Sequence, residues 1–368
     1  MNSKMLTRCI RLPGLQCRQA NILKQEMLSL GGDAAVARGT VACSIKETDV
    51  ILIGTDKQIL QLCTKLKAQP FSLPSLASEL DALLTNIKHP PTRWVTSRRE
   101  FSLERPLIMG ILNLTPDSFS DGGRFIDPER AVEHALLMEA DGADIIDVGG
   151  ESTRPGAPQI QPEEESDRII PIIERLSKVL RCAISVDTWK SVVADRALSA
   201  GAEIINDISG FNFDPRMATI AASSGAAAVL MHTRGKPDEM QKDTGYSDLM
   251  FEVINGLQHS VSQALTAGIE PNRLAIDPGI GFGKDAAGNL MILRRLRELA
   301  GMGLPVLTGT SRKSFIGKVL GSESASDRLF GTAATVAISV ANGASIVRVH
   351  DVRAMRDVAN MAHAVLQH

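Results

Sequence analysis

Aromatic residues are scarce: of 368 residues, 10 are Phe, 2 Trp and 1 Tyr. A core built on ring packing is excluded, and Ala, Val, Ile and Leu must fill it, which suits interleaved helices and strands. Cysteine is scarcer still. Cys9, Cys17, Cys43, Cys63 and Cys182 form an odd, scattered set without a Cys-x-x-Cys pair. They are poor material for a disulfide framework or a zinc site, and a cytoplasmic location is expected. No apolar run approaches the roughly 18 residues that span a bilayer, so no membrane association is expected. An excess of charge is also missing. Lys+Arg 40 against Asp+Glu 42 leaves a formal net charge of -2, and no global positive field draws the chain to nucleic acid. Residues 1–25 lack acid and carry Lys4, Arg8, Arg11, Arg18 and Lys24. That composition is shared with organelle transit peptides, but Pro13-Gly14 interrupts an amphipathic helix.

The chain changes character near residue 105. Before it, residues 34–42 and 50–54 read as strands, and 56–68 and 75–87 as helices; His89-Pro90-Pro91-Thr92 reads as a linker. The expected organisation is an α+β extension over 1–104 and a second domain over 105–368. From Leu107 onward, short runs rich in Ile and Val alternate with longer stretches of helical spacing. The runs are 107–114, 143–148, 183–186, 203–208, 227–231, 274–276, 305–307 and 344–349. Continuous apolar strands are buried on both faces, as parallel strands are beneath crossover helices. Eight βα units in about 260 residues predict a closed (β/α)8 TIM barrel; an open doubly wound sheet is the alternative.

In such barrels the loops after the strands carry the chemistry. Here the run ends are polar: Asn113, Asp147, Asp187, Asn206 and Asp207, His232, Asp277, Ser311 to Ser314, and Arg348 with His350. One polar residue at a strand end often caps the next helix, and Asp117, Asp207 and Asp351 are read that way. Eight in succession converge on one mouth, where burial without a ligand would leave polar groups unpaired. Asp187, Asn206, Asp277 and Lys313 suit the edge of a flat heterocycle with several N–H and C=O groups. Asn113, Arg154, Arg348 and His350 suit a phosphate-type anion, with the Asn113 carbonyl oxygen able to ligate magnesium. Gly279 to Lys284 imitates a phosphate loop, but Pro278 replaces its first glycine and Asp285 follows the lysine. Neither a His-x-x-x-His pair nor a Gly-x-Ser-x-Gly elbow is present.

Residues 109–123, 145–156, 185–190, 204–207, 231–237, 277–284, 309–317 and 348–352 together resemble dihydropteroate synthase. Asn-x-Thr-Pro-Asp-Ser-Phe-Ser-Asp-Gly-Gly and Ser-Arg-Lys-Ser-x-Ile-Gly are the most specific blocks, and the resemblance covers about residues 105–368. It implies a (β/α)8 enzyme of folate synthesis that joins 6-hydroxymethyl-7,8-dihydropterin diphosphate to 4-aminobenzoate and releases diphosphate. It implies that Asp187, Asn206, Asp277 and Lys313 hold the pterin beside Met231. Asn113 would bind Mg2+, and Arg348 and His350 the diphosphate. Thr153, Arg154 and Pro155 would enclose aminobenzoate with Gly281, Phe282, Lys313 and Ser314, where sulfonamides compete. Asp147, Asp187, Lys313, Arg348 and His350 are the implied catalytic set, the two aspartates supporting a pterin methylene cation formed as diphosphate leaves. Residues 21–39 resemble the extension of long-form synthases. The expected partners are these small molecules and a second copy of the chain. A methyltetrahydrofolate:corrinoid methyltransferase has no diphosphate to expel, and a silent pterin-binding paralogue would not need Asn113, Asp187, Lys313, Arg348 and His350 intact.

Overall fold

The computed structural model describes residues 5–115, 127–152, 157 and 159–367. Two compact units divide it, one running to His89 with residues 301–303, the other comprising 90–300 and 304–368. The division falls ahead of the expected boundary at 104. No helix among the described residues is long and apolar enough to cross a membrane.

The first unit is a three-stranded antiparallel sheet, ordered β1-β3-β2, with three helices. Its elements are β1 Thr7–Gln16, α1 Cys17–Ser29, β2 Asp33–Val36, β3 Glu47–Thr55, α2 Asp56–Leu66 and α3 Leu73–Lys88. Along β3 the pleat turns Thr48, Val50, Leu52 and Gly54 inward and leaves Glu47, Asp49 and Ile51 outside. Leu23 and Met27 of α1, Ile59, Leu62 and Leu66 of α2, and Leu73 and Leu80 of α3 complete this core. Thr55 ends β3 and starts α2: its hydroxyl accepts from the Gln58 N–H while Gln58 reaches back to the Thr55 N–H. The strand expected over 34–42 stops at Val36, because the chain folds into turns closed by Thr40 N–H to Ala37 and Cys43 N–H to Thr40. From Thr7 the acid-free stretch forms β1 and the first part of α1. Pro13-Gly14 makes an irregularity in the β1–β3 register between Leu12 and Leu15. Arg8 and Arg11 are ion-paired with Asp56 and Asp49, each at 2.8 Å.

The second unit is a parallel (β/α)8 barrel, as the alternation of apolar runs predicts. Its strands are β6 Leu107–Asn113, β7 Ile145–Gly149, β8 Ala183–Asp187, β9 Ile204–Asp207, β10 Ala227–Met231, β11 Leu274–Asp277, β12 Leu307–Thr308 and β13 Ile346–Val349. Hydrogen bonds run in the order β11-β10-β9-β8-β7-β6-β13-β12. The Ile276–Val306 bridge joins the two ends of that order. Helices follow the strands: α4 Pro128–Ala140, α5 Pro162–Val179, α6 Ser191–Ala200, α7 Met217–Ser224, α8 Leu249–Thr266, α9 Ala286–Arg295, α10 Ser314–Leu320, α11 Leu329–Ala341 and α12 Val352–Gln367.

A hairpin of β4 Arg93–Val95 and β5 Glu100–Ser102 belongs to this unit rather than to the first. Trp94 is wholly buried in a cluster with Leu107, Ile145, Ala183, Ile204, Ala227, Ala275, Leu307 and Ile346. These residues sit at or next to the starts of all eight strands, so the hairpin plugs the amino end of the barrel. Phe101 stacks on Trp94 at 5.9 Å between centroids. One of the two tryptophans therefore fills the space where aliphatic residues on the strands cannot reach the axis. Trp94→Ala should cost about 3–5 kcal/mol, the range for emptying a large buried ring site. Denaturant unfolding of the variant measures it, and a loss below about 1 kcal/mol would refute the plug.

Candidate active site

The opposite, carboxyl end of the barrel collects the ionisable groups. Asp147 is fully buried on β7. Its Oδ2 accepts from Arg348 Nε of β13 at 2.6 Å and from Asn206 Nδ2 of β9 at 3.0 Å. Asp187, the last residue of β8, accepts from Arg348 Nη2 at 2.7 Å. One guanidinium thus bridges two carboxylates on different strands. Arg348, grouped by type with the anion-binding residues, sits instead among the acids, using Nε and Nη2 there. Asp147 Oδ1 and Asp187 Oδ1 are buried without any hydrogen-bond partner among the described residues. Burial pushes the Asp187 carboxyl up to about 7; Arg348 opposes the rise and Asp147 adds to it.

Asp277 ends β11 and is buried, its Oδ1 receiving the Gly279 N–H at 2.7 Å. Burial raises its proton affinity against the opposing charge of Lys313. Lys313 lies between β12 and α10, donates to the Ile280 carbonyl and holds its ammonium 4.6 Å from the Phe282 ring centroid. Desolvation brings Lys313 down to about 8, and Asp277 counters it. The close approach of this side chain explains Gly281: at φ +85° a Cβ would stand 2.8 Å from Lys313 Cδ.

His350 follows β13, its Nδ1 2.9 Å from Ser311 Oγ, which also accepts the His350 N–H at 3.2 Å. Asn113 ends β6 and is half-buried, Met231 ends β10 and is buried, and Ser314 opens α10 and is exposed. Thr153, Arg154, Pro155 and Asp117 lie outside the described residues. Asp207 accepts the Ser209 and Phe211 N–H groups and Asp351 is paired with Arg312 at 2.6 Å, structural roles but not the helix caps expected.

Two clusters were not foreseen. Lys190 is buried and donates to Glu165 Oε2 at 2.7 Å and to the Ile160 carbonyl at 2.8 Å, with Glu151 Oε2 3.2 Å away. Glu151 in turn accepts the Ile160 N–H and the Trp189 indole N–H. Only the position of Lys190, three residues past Asp187, signalled it. Lys284, dismissed with its failed phosphate motif, is also buried, with Nζ turned toward backbone carbonyls. No group of three His, Cys, Asp or Glu among the described residues could hold a metal ion alone.

Residues 109–350 match the family described as "Pterin binding enzyme". The dihydropteroate synthase of Synechocystis sp. is 48% identical over 71% of this chain and 91% of its own. A probable bifunctional folylpolyglutamate synthase/dihydropteroate synthase of Haloferax volcanii is 41% identical over 92% of this chain and 41% of its own. Among solved structures, Yersinia pestis dihydropteroate synthase in a sulfonamide drug complex superimposes with a TM-score of 0.71 at 40% identity, covering 75% of this chain and 100% of that one.

Proposed function

The chain belongs to the pterin-binding enzyme family, among its dihydropteroate synthases, and on that premise we propose which groups at the barrel mouth do what. Its reaction joins 6-hydroxymethyl-7,8-dihydropterin diphosphate to 4-aminobenzoate, giving 7,8-dihydropteroate and diphosphate. The pterin edge is assigned to Asp187, Asn206, Asp277 and Lys313, with Met231 against its face. The observation that carries this assignment is the pair of buried, unpartnered oxygens, Asp147 Oδ1 and Asp187 Oδ1. Buried acceptors without donors are costly, and the N–H groups of a heterocycle would supply what the protein withholds.

Arg348 Nη1 and His350 are assigned to the diphosphate. Thr153, Arg154, Pro155, Gly281, Phe282, Lys313 and Ser314 are assigned to aminobenzoate. Asn113 is a neutral oxygen donor standing apart from any protein-only cage, which fits Mg2+ completing its shell from phosphate oxygens and water. When bound there, the ion would neutralise charge on the departing diphosphate. No side chain needs to attack. The methylene C–O bond breaks with its electron pair leaving on diphosphate, the pterin cation is held beside Asp147 and Asp187, and the aniline nitrogen captures it and sheds a proton to solvent. Enzyme given pterin diphosphate and Mg2+ without aminobenzoate should therefore release diphosphate. If release strictly requires aminobenzoate, the dissociative course is wrong.

We assign the segment up to His89 to a structural appendage, the hairpin that follows belonging to the barrel unit. The Synechocystis relative supports this, since its match leaves more than a quarter of this chain uncovered while using nearly all of its own. A homodimer is supported by the exposed Phe330 and Ile338 on α11 and Met361 and Val365 on α12. The five free cysteines support a reducing, cytoplasmic setting.

A further inference from the structure

The turn between β11 and α9 imitates a phosphate loop in sequence, yet its geometry is the inverse of one. A phosphate loop points backbone N–H groups at an anion. Here backbone carbonyls surround a cation of the chain itself. Lys284 Nζ donates to the carbonyls of Phe282 at 2.8 Å and Gly279 at 3.0 Å, and reaches the His232 carbonyl at 3.3 Å and His232 Nδ1 at 3.1 Å. Burial brings Lys284 down to about 7 against the opposing charge of Asp277, and His232 Nδ1 lies within hydrogen-bond distance of its Nζ. Burial, then the Lys284 charge, push that imidazole down to about 3, in keeping with the neutral form.

The backbone needed to aim these carbonyls inward is one that glycine alone adopts easily. Gly279, Gly281 and Gly283 have φ of +69°, +85° and +61°. At Gly279 a Cβ would stand 1.9 Å from the His232 carbonyl oxygen, so the turn crosses directly over the end of β10. Every group this turn presents to the site hangs on that arrangement: Phe282 lies beneath the Lys313 ammonium, and the Ile280 carbonyl receives Lys313. Opposite the lysine, Asn289 Oδ1 accepts the Gly281 N–H at 2.6 Å and fixes the turn from the α9 side.

We infer that Lys284 is a positioning residue for aminobenzoate: its ammonium organises the Gly279–Gly283 backbone and thereby sets where Phe282 and the Lys313 side chain stand. It does not itself bind phosphate, since its described hydrogen bonds go to protein acceptors. The inference rests on the assignment of Phe282 and Lys313 to the aminobenzoate subsite. Pterin contacts should suffer less, because Asp187 and Asn206 are carried by β8 and β9, away from the turn; Asp277 and Lys313, which touch the turn, pass part of the effect to the pterin.

The test is steady-state kinetics of the full chain with Lys284→Met, varying each substrate at saturation of the other. KM for 4-aminobenzoate should rise at least about tenfold, and by clearly more than KM for the pterin diphosphate. A residue serving stability alone would lower the melting temperature without splitting the two constants. An unchanged aminobenzoate KM, or equal rises in both, overturns the inference. Phe282→Ala is measured alongside. A raised aminobenzoate KM there with a flat response in Lys284→Met overturns the role of Lys284 alone; a flat response in both overturns the assignment of Phe282 beneath it. If Lys284→Met is insoluble, Lys284→Gln replaces it, and insolubility of both would make the lysine a folding requirement and end the proposal.

Discussion

Arg348→Ala should lose both activity and stability, with a pH dependence that identifies the cause. The guanidinium is the shared partner of Asp147 and Asp187, at 2.6 and 2.7 Å. Removing one member of a buried ionic group costs about 3–5 kcal/mol, because charge is left without compensation. Burial already holds Asp187 near 7 against the pull of Arg348. Without that pull the folded carboxyl keeps its proton to still higher pH, whereas in the unfolded chain it ionises at about 3.9. Folded variant then binds more protons than unfolded variant from about pH 4 to beyond pH 7, so its stability falls as pH rises through that window. The deficit against wild type should be smaller near pH 5, where Asp187 is neutral and the loss is that of the Asp147 pair, and full near pH 8. A deficit independent of pH would mean that the arginine acts through packing alone. In turnover, kcat/KM should fall at least about a thousandfold, and calorimetry should show diphosphate affinity lost more than aminobenzoate affinity. Equal losses would refute the assignment of Nη1 to the phosphate end.

That arginine also marks how far the sequence could be read. The eight barrel strands were legible because each is a short Ile- and Val-rich run buried on both faces, and such runs persist whatever lies beside them. The seventh shows how boundaries blur. It was expected at 305–307 but is Leu307–Thr308, because Pro305 has no N–H to give a ladder and contributes only its carbonyl, to Ile276. The residue types at the mouth were legible for the same reason, since strand ends follow from strands. Their pairing was not. Arg348 is 201 residues from Asp147 and 161 from Asp187, and no local pattern reports which cation meets which acid once a barrel closes. β1 and α1 escaped because Pro13-Gly14 breaks the alternation of the strand, and its arginines find their partners only across the sheet. Trp94 escaped because a plug is a single large side chain without a period. Lys284 was read as part of a failed phosphate motif, and that reading holds: this turn faces its carbonyls to a lysine rather than N–H groups to an anion.

Lys313→Ala should also lower turnover steeply, because one side chain serves both halves of the site. Its ammonium faces Asp277, rests over Phe282 and bonds to the Ile280 carbonyl. Truncation removes a pterin donor, frees the turn and leaves Asp277 buried without its cation. Burial raises Asp277 and Lys313 opposes that rise, so loss of the lysine favours the neutral acid and weakens its hold on heterocycle N–H groups. A fall in kcat/KM of at least about a hundredfold is expected from steady-state measurement, and retention of more than about a tenth, roughly 1.4 kcal/mol, would sink the assignment. Lys313→Arg should not rescue it. A planar guanidinium cannot occupy the point where an ammonium meets the Ile280 carbonyl and the Phe282 ring beside a Gly281 at which even a Cβ would stand 2.8 Å from the lysine stem. Recovery by arginine would reduce the role of Lys313 to net charge, whereas failure of both variants with stability intact would tie catalysis to the position of one ammonium.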